Sequence, residues 1–391
     1  MNIVHICNDE KFINAANNTF EKIYPQQNLF LVLHPKDKEL IHVKLKENTK
    51  TFLPETLEIY SQTLNNAELI FFHSYTFNMK NVFRYIPNTT RVIWFCFGME
   101  VYNDPKLYSR KKLLDKMTFS LFPPQKRAFK KELKDTLRPY IRNFKRDLPL
   151  SRIEKKLLNL RKMDYIAAVY QEEFKFVKTK INSHAKWLIF CYFSLEYMVD
   201  LNNDGLINKK KQHYFIGNSG NITNNHIDVF KCINSLTSIN SSVIVPLGYG
   251  NKEYIDMVTK KGYETFDENF KPILSFLPLE KYNEYLQTTK IALFNARRQQ
   301  GVGTIIPILW HGAKVFLSKR NTFYHYLKRI GIVVYCYETE LNKENVKDGL
   351  SIDEIEHNRT LLYQELNEKR LLKELKEQID PILQNQQVLS R

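Results

Sequence analysis

Short apolar runs alternate with longer amphipathic stretches along most of the chain. Twelve of these runs are six to eight residues long, rich in β-branched and aromatic side chains, and mostly uninterrupted by polar residues. This pattern is typical of parallel strands covered on both faces, and the stretches between the runs are long enough for helices. The chain therefore predicts repeated β-α-β units. The predicted strands lie at 2–7, 29–34, 68–74, 91–98, 165–170, 187–193, 213–219, 242–249, 272–278, 290–296, 314–319 and 332–337.

A polar segment at 199–212, which contains Asp-Gly and a run of three lysines, separates two sets of six predicted strands. Such a segment is typical of a linker. We therefore expect an α/β protein with two doubly wound, Rossmann-like parallel-sheet domains that face a central cleft, over residues 1–200 and 211–350. The last part of the chain, 351–391, is charged and has helical periodicity, so we expect a helical tail that packs across both domains.

The net charge of +16 is concentrated in one stretch, which we call the basic insert. Residues 106–162 contain 19 Lys and Arg against 5 Asp and Glu, which amounts to +14 and leaves +2 for the rest of the 391 residues. Apolar residues recur there three or four positions apart, which predicts an amphipathic helix bent or broken at Pro139. The predicted apolar stripe consists of Phe129, Leu133, Leu137, Ile141, Phe144 and Leu148.

Three interpretations fit the basic insert. A solvated surface helix that packs by its stripe on its own domain needs no partner. A cluster of cations also neutralises nucleic-acid phosphates, but no RNA- or DNA-binding motif accompanies the charge, and the basic residues flank an apolar stripe instead of a stacking platform. The third interpretation, which we favour, is reversible docking on an anionic membrane surface, in which each nearby Lys or Arg contributes about 1 kcal/mol.

The sequence carries no pattern of a signal peptide or of a membrane-spanning helix. The N-terminus becomes polar after seven residues, and no window approaches the roughly 18 consecutive apolar residues that a spanning helix requires. The five cysteines are far apart, odd in number and without a Cys-x-x-Cys pair. We therefore expect buried thiols in place of disulfides or metal ligands.

The segment Ala-Arg-Arg-Gln-Gln-Gly-Val-Gly-Thr at 296–304 lies between a predicted strand and a predicted helix. Parallel α/β sheets bind ligands at the carboxyl ends of their strands, where a helix N-terminus offers N–H groups to anions. Glycines let a ligand approach the backbone, and an arginine can clamp an anion bidentately. The combination suits a diphosphate, although a tight corner with solvated arginines would have the same composition. The candidate residues are Arg298, Gln299, Gln300, Gly301, Gly303 and Thr304.

The sequence Gly-Asn-Ser-Gly follows the first predicted strand of the second domain and precedes a helix. Its short polar side chains can cap that helix or bind a ligand, and a structural turn is an equally simple explanation. Two further strand ends, at 243–250 and 273–282, lie on the same predicted edge and would cover the base in a nucleotide-sugar site. These loops contribute the candidates Gly217, Asn218, Ser219, Gly220 and Tyr249.

His73 and Glu100 lie at strand ends of the first domain, and either side chain can act as a general base towards an acceptor hydroxyl. A hydrogen-bonded structural histidine is the simpler interpretation of His73, whereas an acid directly after an aromatic-rich strand is costly to bury unpaired. No Asp-x-Asp triplet occurs in the chain. We therefore expect neither a metal ion nor another cofactor, and Arg298 would then neutralise a departing diphosphate.

Four motifs together resemble those of a known family. They are "IWFCFGMEVY" at 93–102, "GNSG" followed by "NHI" within 217–227, "VIVPLGY" at 243–249 and "RQQGVGT" at 298–304. On these residues the chain resembles the bacterial TDP-N-acetylfucosamine:lipid II N-acetylfucosaminyltransferases, which act in enterobacterial common antigen synthesis. The similarity is densest between 214 and 335.

This resemblance implies a two-domain GT-B fold without an essential metal ion. It also implies transfer of an amino-dideoxy sugar, such as 4-acetamido-4,6-dideoxygalactose, from a dTDP-linked or other nucleoside-diphosphate donor to a polyprenyl-diphosphate-linked glycan. The first domain would bind this acceptor and the second the nucleotide sugar, and the enzyme would work as a peripheral protein at the cytoplasmic face of the bacterial inner membrane. Donor contacts would fall on Gly217, Asn218, Ser219, Arg298, Gln299, Gln300, Gly301 and Thr304.

Two classes of function follow from these observations. The favoured prediction is a metal-independent hexosyltransferase in which Arg298 stabilises the leaving diphosphate and Glu100, or less favourably His73, serves the acceptor hydroxyl. The alternative is a non-catalytic protein that binds nucleic acid through its basic surface. Its binding would depend on salt and would be indifferent to sugar nucleotides.

Overall fold

The computed structural model describes residues 2–34, 39–123, 133, 137, 138, 140, 141, 149–201, 212–236 and 240–389. Two parallel sheets organise the chain, one of seven strands and one of six. Helices lie in most of the connections between consecutive strands, as the alternation of apolar runs and amphipathic stretches predicts.

The first sheet consists of β1 (Ile3–Asn8), β2 (Asn28–Leu33), β3 (Thr49–Phe52), β4 (Leu69–His73), β5 (Arg91–Phe95), β6 (Tyr165–Ala168) and β7 (Lys186–Ile189). These strands are parallel and lie in the order β3-β2-β1-β4-β5-β6-β7. All five residues of β4 are buried, as expected for a strand covered on both faces. The order reverses between β1 and β4, so the loops after these strands diverge at the carboxyl edge.

The second sheet consists of β8 (His213–Ile216), β9 (Val243–Pro246), β10 (Phe270–Ile273), β11 (Thr289–Phe294), β12 (Lys314–Leu317) and β13 (Tyr335–Cys336). It is also parallel, in the order β10-β9-β8-β11-β12-β13. This is the strand order of dinucleotide-binding sheets, and its reversal lies between β8 and β11.

The helices flank these sheets and carry the connections between strands. In chain order they are α1 (Ile13–Ile23), α2 (Ser61–Asn65), α3 (Met99–Tyr102), α4 (Arg110–Leu113), α5 (Lys116–Leu121), α6 (Arg152–Arg161), α7 (Gln171–Ile181), α8 (Leu195–Met198), α9 (His226–Leu236), α10 (Lys252–Phe266), α11 (Leu279–Thr288), α12 (Val302–Trp310), α13 (Thr322–Arg329), α14 (Ile352–Leu366) and α15 (Glu368–Leu389).

The twelve predicted strands each overlap a strand of one of the two sheets. The sequence pattern does not predict β3, which lies at the edge of the first sheet. Its central residues Lys50 and Thr51 are exposed and only its ends are buried, so the segment has no apolar run. An edge strand of this kind is held mainly by its ladder with β2, which a pattern of apolar residues does not reveal.

The chain divides into two compact units whose ranges differ from the predicted 1–200, 211–350 and 351–391. The first unit comprises Met1–Tyr108, Lys126–Tyr192 and Glu368–Arg391, and the second comprises Ser109–Gln125 and Phe193–Asn367. The beginning of the basic insert, with α4 and α5, therefore belongs to the second unit. The tail is divided, because α14 belongs to the second unit and α15 to the first.

Helix α15 joins the first unit through an apolar face and through one glutamine. Four aliphatic residues of this helix are buried: Leu375, Ile379, Ile382 and Leu383. The Gln378 amide accepts a hydrogen bond from the Ile189 N–H at 2.7 Å and donates one to the Ile189 carbonyl at 3.3 Å. Because Ile189 ends the edge strand β7, this side chain satisfies backbone groups that no further strand pairs.

Candidate functional site

The carboxyl edge of the second sheet brings the two glycine-containing loops together. One loop, 217–225, follows β8, and the other, 295–301, follows β11. These strands are neighbours at the point where the strand order reverses, which is where ligands of open α/β sheets bind. The Gly217 N–H donates to the Leu293 carbonyl at 3.0 Å and so joins the first loop to β11.

Gln300 links these two loops directly. Its carbonyl oxygen accepts hydrogen bonds from Thr223 Oγ1 at 2.5 Å and from Arg298 Nε at 3.0 Å. Its amide nitrogen donates to Asn218 Oδ1 at 2.9 Å. The structure therefore places the predicted candidates Asn218, Arg298 and Gln300 in one cluster at the strand ends, together with Thr223.

The N-terminus of α12 faces this cluster. Gly301 caps the helix with φ of +75°, and its carbonyl accepts the Thr304 and Ile305 N–H groups at 2.9 Å each. A Cβ on Gly303 would have no atom within 4 Å, so the first turn of the helix is open on that side. The Thr304 hydroxyl pairs with the Tyr282 hydroxyl at 3.2 Å. Because helix N-termini attract anions, an open first turn is a suitable position for a phosphate.

Gly217 and Gly220 are required by packing within their loop. Gly217 has φ of +70°, and a Cβ there would collide with the buried imidazole of His226. A Cβ on Gly220 would collide with Ile255, and the Gly220 N–H donates to the Tyr249 carbonyl at 2.7 Å. Ser219 is buried, and its carbonyl accepts a hydrogen bond from Asn224. These residues shape the loop that presents Asn218.

The two adjacent arginines of the second loop have different environments. Arg297 is 8% exposed, and its guanidinium lies 2.7 Å from the Asp115 carboxylate. Burial alone would raise the pKa of Asp115, but hydrogen bonds from Asn295 and the Lys116 N–H, together with the charge of Arg297, lower this pKa below its ordinary value. Arg298 is partly exposed beside Gln300, as is Gln299. Of the two arginines, only Arg298 is therefore placed to meet a ligand.

An exposed aromatic pair lies on the same edge, beyond β9 and β10. Tyr249 and Phe276 stack with ring centroids 5.7 Å apart and an interplanar angle of 9°. Tyr249 is 46% exposed and Phe276 is 74% exposed. The predicted base-covering loops thus present two aromatic faces, and Phe276 is a candidate that the sequence analysis did not name.

His73 lies in the core of the first unit. It is fully buried, with Nδ1 2.7 Å from the Tyr192 hydroxyl and Nε2 3.0 Å from His5 Nδ1. The chain of hydrogen bonds continues from His5 to Asn28 at 3.3 Å. Burial, together with the neighbouring His5, holds the pKa of His73 well below its ordinary value. Both ring nitrogens have protein partners, which is the structural role that the sequence analysis considered simpler for this residue.

Glu100 lies in α3, which follows the carboxyl end of β5, and it is 4% exposed. Its Oε1 accepts the Tyr75 N–H at 3.1 Å, and the Cys96 thiol lies 3.8 Å from Oε2. Its backbone carbonyl accepts from Lys156. The buried carboxylate therefore has hydrogen-bond partners in the Tyr75 N–H and the Cys96 thiol. It connects the loop after β4 with the loop after β5.

Glu10 is a carboxylate that the sequence analysis did not name. It follows β1, one of the two strands at the reversal of the first sheet, and it is half-buried. Burial raises the pKa of Glu10 above its ordinary value, while the charges of His42 and Lys11 act against this shift. The signal in the sequence was an acidic pair, Asp9 and Glu10, which only Asn8 separates from the first predicted strand.

Within the described ranges no group of three or more His, Cys, Asp or Glu side chains could hold a metal ion. Among the helices that the structure describes, none is both long and apolar enough to cross a membrane.

The basic insert is described only in part. Of the predicted stripe, Leu133, Leu137 and Ile141 are 51%, 46% and 43% exposed. The remaining stripe residues and the predicted break, which are Phe129, Pro139, Phe144 and Leu148, lie outside the described residues. In α5, Met117 and Leu121 are also partly exposed, at 37% and 42%.

One family model matches more than half of the chain. It is described as 4-alpha-L-fucosyltransferase, glycosyl transferase group 56, and it matches residues 152–367. This range includes both glycine-containing loops, the aromatic pair and the whole of the second sheet.

Solved structures resemble the whole chain in fold. The N-terminal domain of trehalose-6-phosphate phosphatase from Candida albicans has a TM-score of 0.65 at 9% identity, over 98% of this chain and 96% of that chain. Sucrose-phosphate synthase from Thermosynechococcus elongatus has 0.64 at 8%, over 98% and 100%. HepE from Anabaena in complex with UDP has 0.62 at 10%, over 97% and 100%. With two parallel-sheet units, this likeness confirms the predicted GT-B fold class.

Proposed function

The chain belongs to the 4-alpha-L-fucosyltransferase family, glycosyl transferase group 56, and is a glycosyltransferase; from that premise we propose that it transfers an amino-dideoxy sugar from a dTDP-linked donor to a polyprenyl-diphosphate-linked glycan. The proposed sugar is 4-acetamido-4,6-dideoxygalactose, and the proposed setting is cell-surface polysaccharide synthesis, such as that of enterobacterial common antigen. The enzyme would act as a peripheral protein at the cytoplasmic face of the bacterial inner membrane.

The observation that carries the donor site is the contact of Gln300 with both loops. It holds Asn218, Thr223 and Arg298 together beside the open first turn of α12. A diphosphate at this position would receive N–H groups from the helix start and a guanidinium from Arg298. HepE, whose structure contains UDP, supports a nucleoside diphosphate as the ligand class.

The proposed reaction breaks the bond between the anomeric carbon and the diphosphate oxygen of the donor. Negative charge then develops on the leaving diphosphate, and Arg298 with the N-terminus of α12 would stabilise that charge in place of a metal ion. The acceptor hydroxyl, which forms the new glycosidic bond, would lose its proton to a carboxylate.

Two carboxylates are candidates for that proton transfer. Glu100, the residue named from the sequence, is 4% exposed and its Oε1 already accepts the Tyr75 N–H. Glu10 is better exposed and has a raised pKa, as a general base that works near neutral pH requires. We therefore place Glu10 ahead of Glu100 as the base, with Glu100 shaping the loop beside it. His73 would support this region through its hydrogen bonds with Tyr192 and His5.

The anionic membrane surface is the proposed partner of the basic insert. The support is its +14 charge and the exposure of Leu133, Leu137 and Ile141, which follow one another at intervals of four residues. Intervals of four place side chains on one face of a helix. Nucleic acid, the alternative partner, would need the charge but not this apolar face.

Nucleotide binding gives the direct test. Thermal shift with dTDP, UDP, GDP and ADP should show stabilisation by at least one diphosphate, and calorimetry should then compare the wild type with Arg298→Ala. The variant should lose about 1.5–3 kcal/mol of binding free energy, the scale of a charge-assisted hydrogen bond. Arg320→Ala, at an exposed arginine in the loop before α13, is the matched control and should bind as the wild type does. An unchanged affinity for Arg298→Ala would remove the proposed diphosphate contact.

Metal dependence is tested in the same titration. Because no Asp-x-Asp triplet is present, binding and transfer should persist in EDTA. Strict recovery by Mn²⁺ or Mg²⁺ after chelation would contradict the proposed charge stabilisation.

A further inference from the structure

A buried network joins Asp115, in the basic insert, to the loop 295–301, which we call the donor loop. Asp115 donates its backbone N–H to Asn225 Oδ1 at 2.8 Å. Its carboxylate Oδ2 accepts from Asn295 Nδ2 at 2.9 Å and lies 2.7 Å from Arg297 Nη2. Arg297 Nη1 in turn donates to the Leu114 carbonyl at 2.7 Å. All of these residues belong to the second unit.

This network contacts both the donor loop and the loop 217–225 through buried residues. Asn295 and Arg297 lie in the loop directly before Arg298, and they are 0% and 8% exposed. Asn225 is also fully buried, and its amide donates to the Asn295 carbonyl at 2.8 Å and to the Thr223 carbonyl at 3.2 Å. Thr223 is the residue whose hydroxyl meets Gln300. Asp115 and its partners thus help to position both loops that meet at the hydrogen bond between Gln300 and Thr223.

The chemistry of the pair explains why Asp115 has a large effect on this loop. A guanidinium that is almost fully buried needs a charged partner, because burial of an uncompensated charge is costly. Without the Asp115 carboxylate, Arg297 would have to turn towards water and would carry the backbone of its neighbour Arg298 with it. The carboxylate also accepts a hydrogen bond from Asn295. Its loss would therefore remove the contacts of Asp115 with two residues of the loop, Asn295 and Arg297.

We propose that Asp115, acting through Arg297 and Asn295, positions Arg298 and Gln300 for the diphosphate, so that donor affinity depends on the contact of the Asp115 carboxylate with the loop 295–301. This inference rests on the proposed function, because it concerns the same donor site. Asp115 and Arg297 are positioning residues, since neither reaches the ligand. The dependence connects the beginning of the basic insert to the affinity of the enzyme for its donor.

Asp228 provides a matched control for Asp115. Its carboxylate also seats the segment, by accepting the Met117 N–H at 2.8 Å, the Thr118 N–H at 3.0 Å and the Thr118 hydroxyl at 2.6 Å. Its hydrogen bonds go to α5 and not to the donor loop. Asp228→Asn and Asp115→Asn remove one charge each from the same contact surface, and asparagine at 115 still caps α5.

The experiment compares the affinities of these variants for UDP, dTDP and the corresponding monophosphates by calorimetry. Asp115→Asn should weaken diphosphate binding by about tenfold or more, the scale of a displaced charge-assisted contact, and monophosphate binding by less. Arg297→Lys, which keeps the charge but loses the two-pronged geometry, should show the same preference. Asp228→Asn should leave all affinities as in the wild type. A general loosening of the fold would weaken both classes of nucleotide equally.

Two outcomes would overturn the inference. One is a Kd for diphosphates that Asp115→Asn leaves unchanged, and the other is an equal loss in Asp115→Asn and Asp228→Asn. A wild-type protein that binds none of the nucleotides would instead overturn the proposed function, and this inference with it. Melting temperatures measured beside each titration identify a variant that fails to fold, in which case Arg297→Lys decides.

Discussion

At the scale of single residues, identical neighbours have different roles. Arg297 and Arg298 are indistinguishable in the sequence, and both were plausible anion ligands. The structure separates them because Arg297 pairs with Asp115, a residue more than 180 positions earlier in the chain. No local pattern reveals a partner at that distance. The exposed arginine was the one chosen from the sequence, but burial, which decides between the two, became visible only in the fold.

Gly303 allows a clean test of ligand approach at the donor site. It lies in the first turn of α12, and a Cβ there would meet open space. Gly303→Ala should therefore leave the fold intact or stabilise it, since alanine favours a helix interior over glycine by about 1 kcal/mol. If the diphosphate lies against this turn, the added methyl group occupies its place. Calorimetry should show weaker nucleoside-diphosphate binding, while the melting temperature stays constant or rises.

Gly349→Ala is the control for Gly303→Ala. Its nearest neighbour to an added Cβ is Lys290, at 3.8 Å, which is ordinary contact, and it lies before α14 outside both loops. This variant should bind nucleotide as the wild type does. Unchanged binding by Gly303→Ala would place the diphosphate away from the helix start.

Buried histidines should make the protein sensitive to mild acid. Burial lowers the pKa of His5 and of His226 to about 3 each. The folded state then binds fewer protons than the unfolded state, in which histidine titrates near 6.5. Above about pH 6.5 these histidines therefore do not reduce the free energy of unfolding. As the pH falls from 6.5 towards 3, that free energy declines by up to about 1.4 kcal/mol per pH unit for each such histidine.

Denaturant unfolding at pH 7, 6 and 5 measures this effect. The wild type should lose stability across the series, and His226→Asn should lose less of it over the same interval, whatever its stability at pH 7. His325→Gln, at an exposed histidine, is the control and should retain the wild-type dependence. Equal pH dependence in His226→Asn and in the wild type would contradict the assigned burial.

At the scale of elements, the apolar pattern was sufficient for the strands that are covered on both faces. β4 and β11 consist almost entirely of buried residues, so their runs are visible in the sequence. β3 was missed because an edge strand needs no apolar run. The membership of α4 and α5 in the second unit was missed for another reason. It depends on Asp115, Asp228 and Asn225, which are polar residues whose partners are distant in sequence.

The aromatic pair in the loops after β9 and β10 allows a test of where the nucleotide base binds. Tyr249 and Phe276 stack face to face, and Phe276 is 74% exposed. Since β9 is the neighbour of β8, and the Gly220 N–H donates to the Tyr249 carbonyl at 2.7 Å, this pair lies beside the loop after β8. Phe276→Ala should weaken UDP and dTDP binding by about 1–3 kcal/mol, the scale of stacking between a base and an aromatic ring. Binding of inorganic pyrophosphate, which has no base, should not change.

Tyr197→Ala is the control for the aromatic pair. Tyr197 also stacks on a neighbour, Phe193, with centroids 4.5 Å apart, and is 62% exposed in the same unit, but it belongs to α8. It should bind nucleotides normally. Equal losses of UDP and pyrophosphate binding in Phe276→Ala would show that the aromatic pair supports the loop and does not meet the base.

At the scale of the whole molecule, the two-sheet architecture was predictable and the path of the chain between the units was not. The twelve strands and their parallel pairing follow from local patterns. The chain enters the second unit at Ser109–Gln125 and returns, and its two last long helices belong to different units although Asn367 alone separates them. Such exchanges depend on which apolar face fits which surface, and that is decided by packing over the whole molecule.

The basic insert gives the prediction that concerns the whole molecule and its surroundings. If it docks on membrane, charge should draw the protein to anionic lipid, and the exposed Leu133, Leu137 and Ile141 should hold it in the interface. The protein should then sediment with vesicles of equal parts phosphatidylglycerol and phosphatidylcholine, and less so at high salt, because the Debye length falls from about 10 Å at 0.1 M to about 3 Å at 1 M. Vesicles of phosphatidylcholine alone should bind little.

A triple variant with serine at Leu133, Leu137 and Ile141 keeps the charge of the basic insert and removes its exposed apolar face. It should abolish sedimentation with the anionic vesicles and leave the melting temperature unchanged, since these side chains are about half exposed. Serine at Ile41, Ile59 and Ile352, which are 82%, 76% and 65% exposed elsewhere in the chain, is the matched control and should sediment as the wild type does. A nucleic-acid binder would keep its salt-dependent affinity for oligonucleotides in the triple variant, because phosphate neutralisation needs no apolar face. A stripe that packs within the protein would lower the melting temperature, and a wild type that never sediments at low salt would refute the membrane partner.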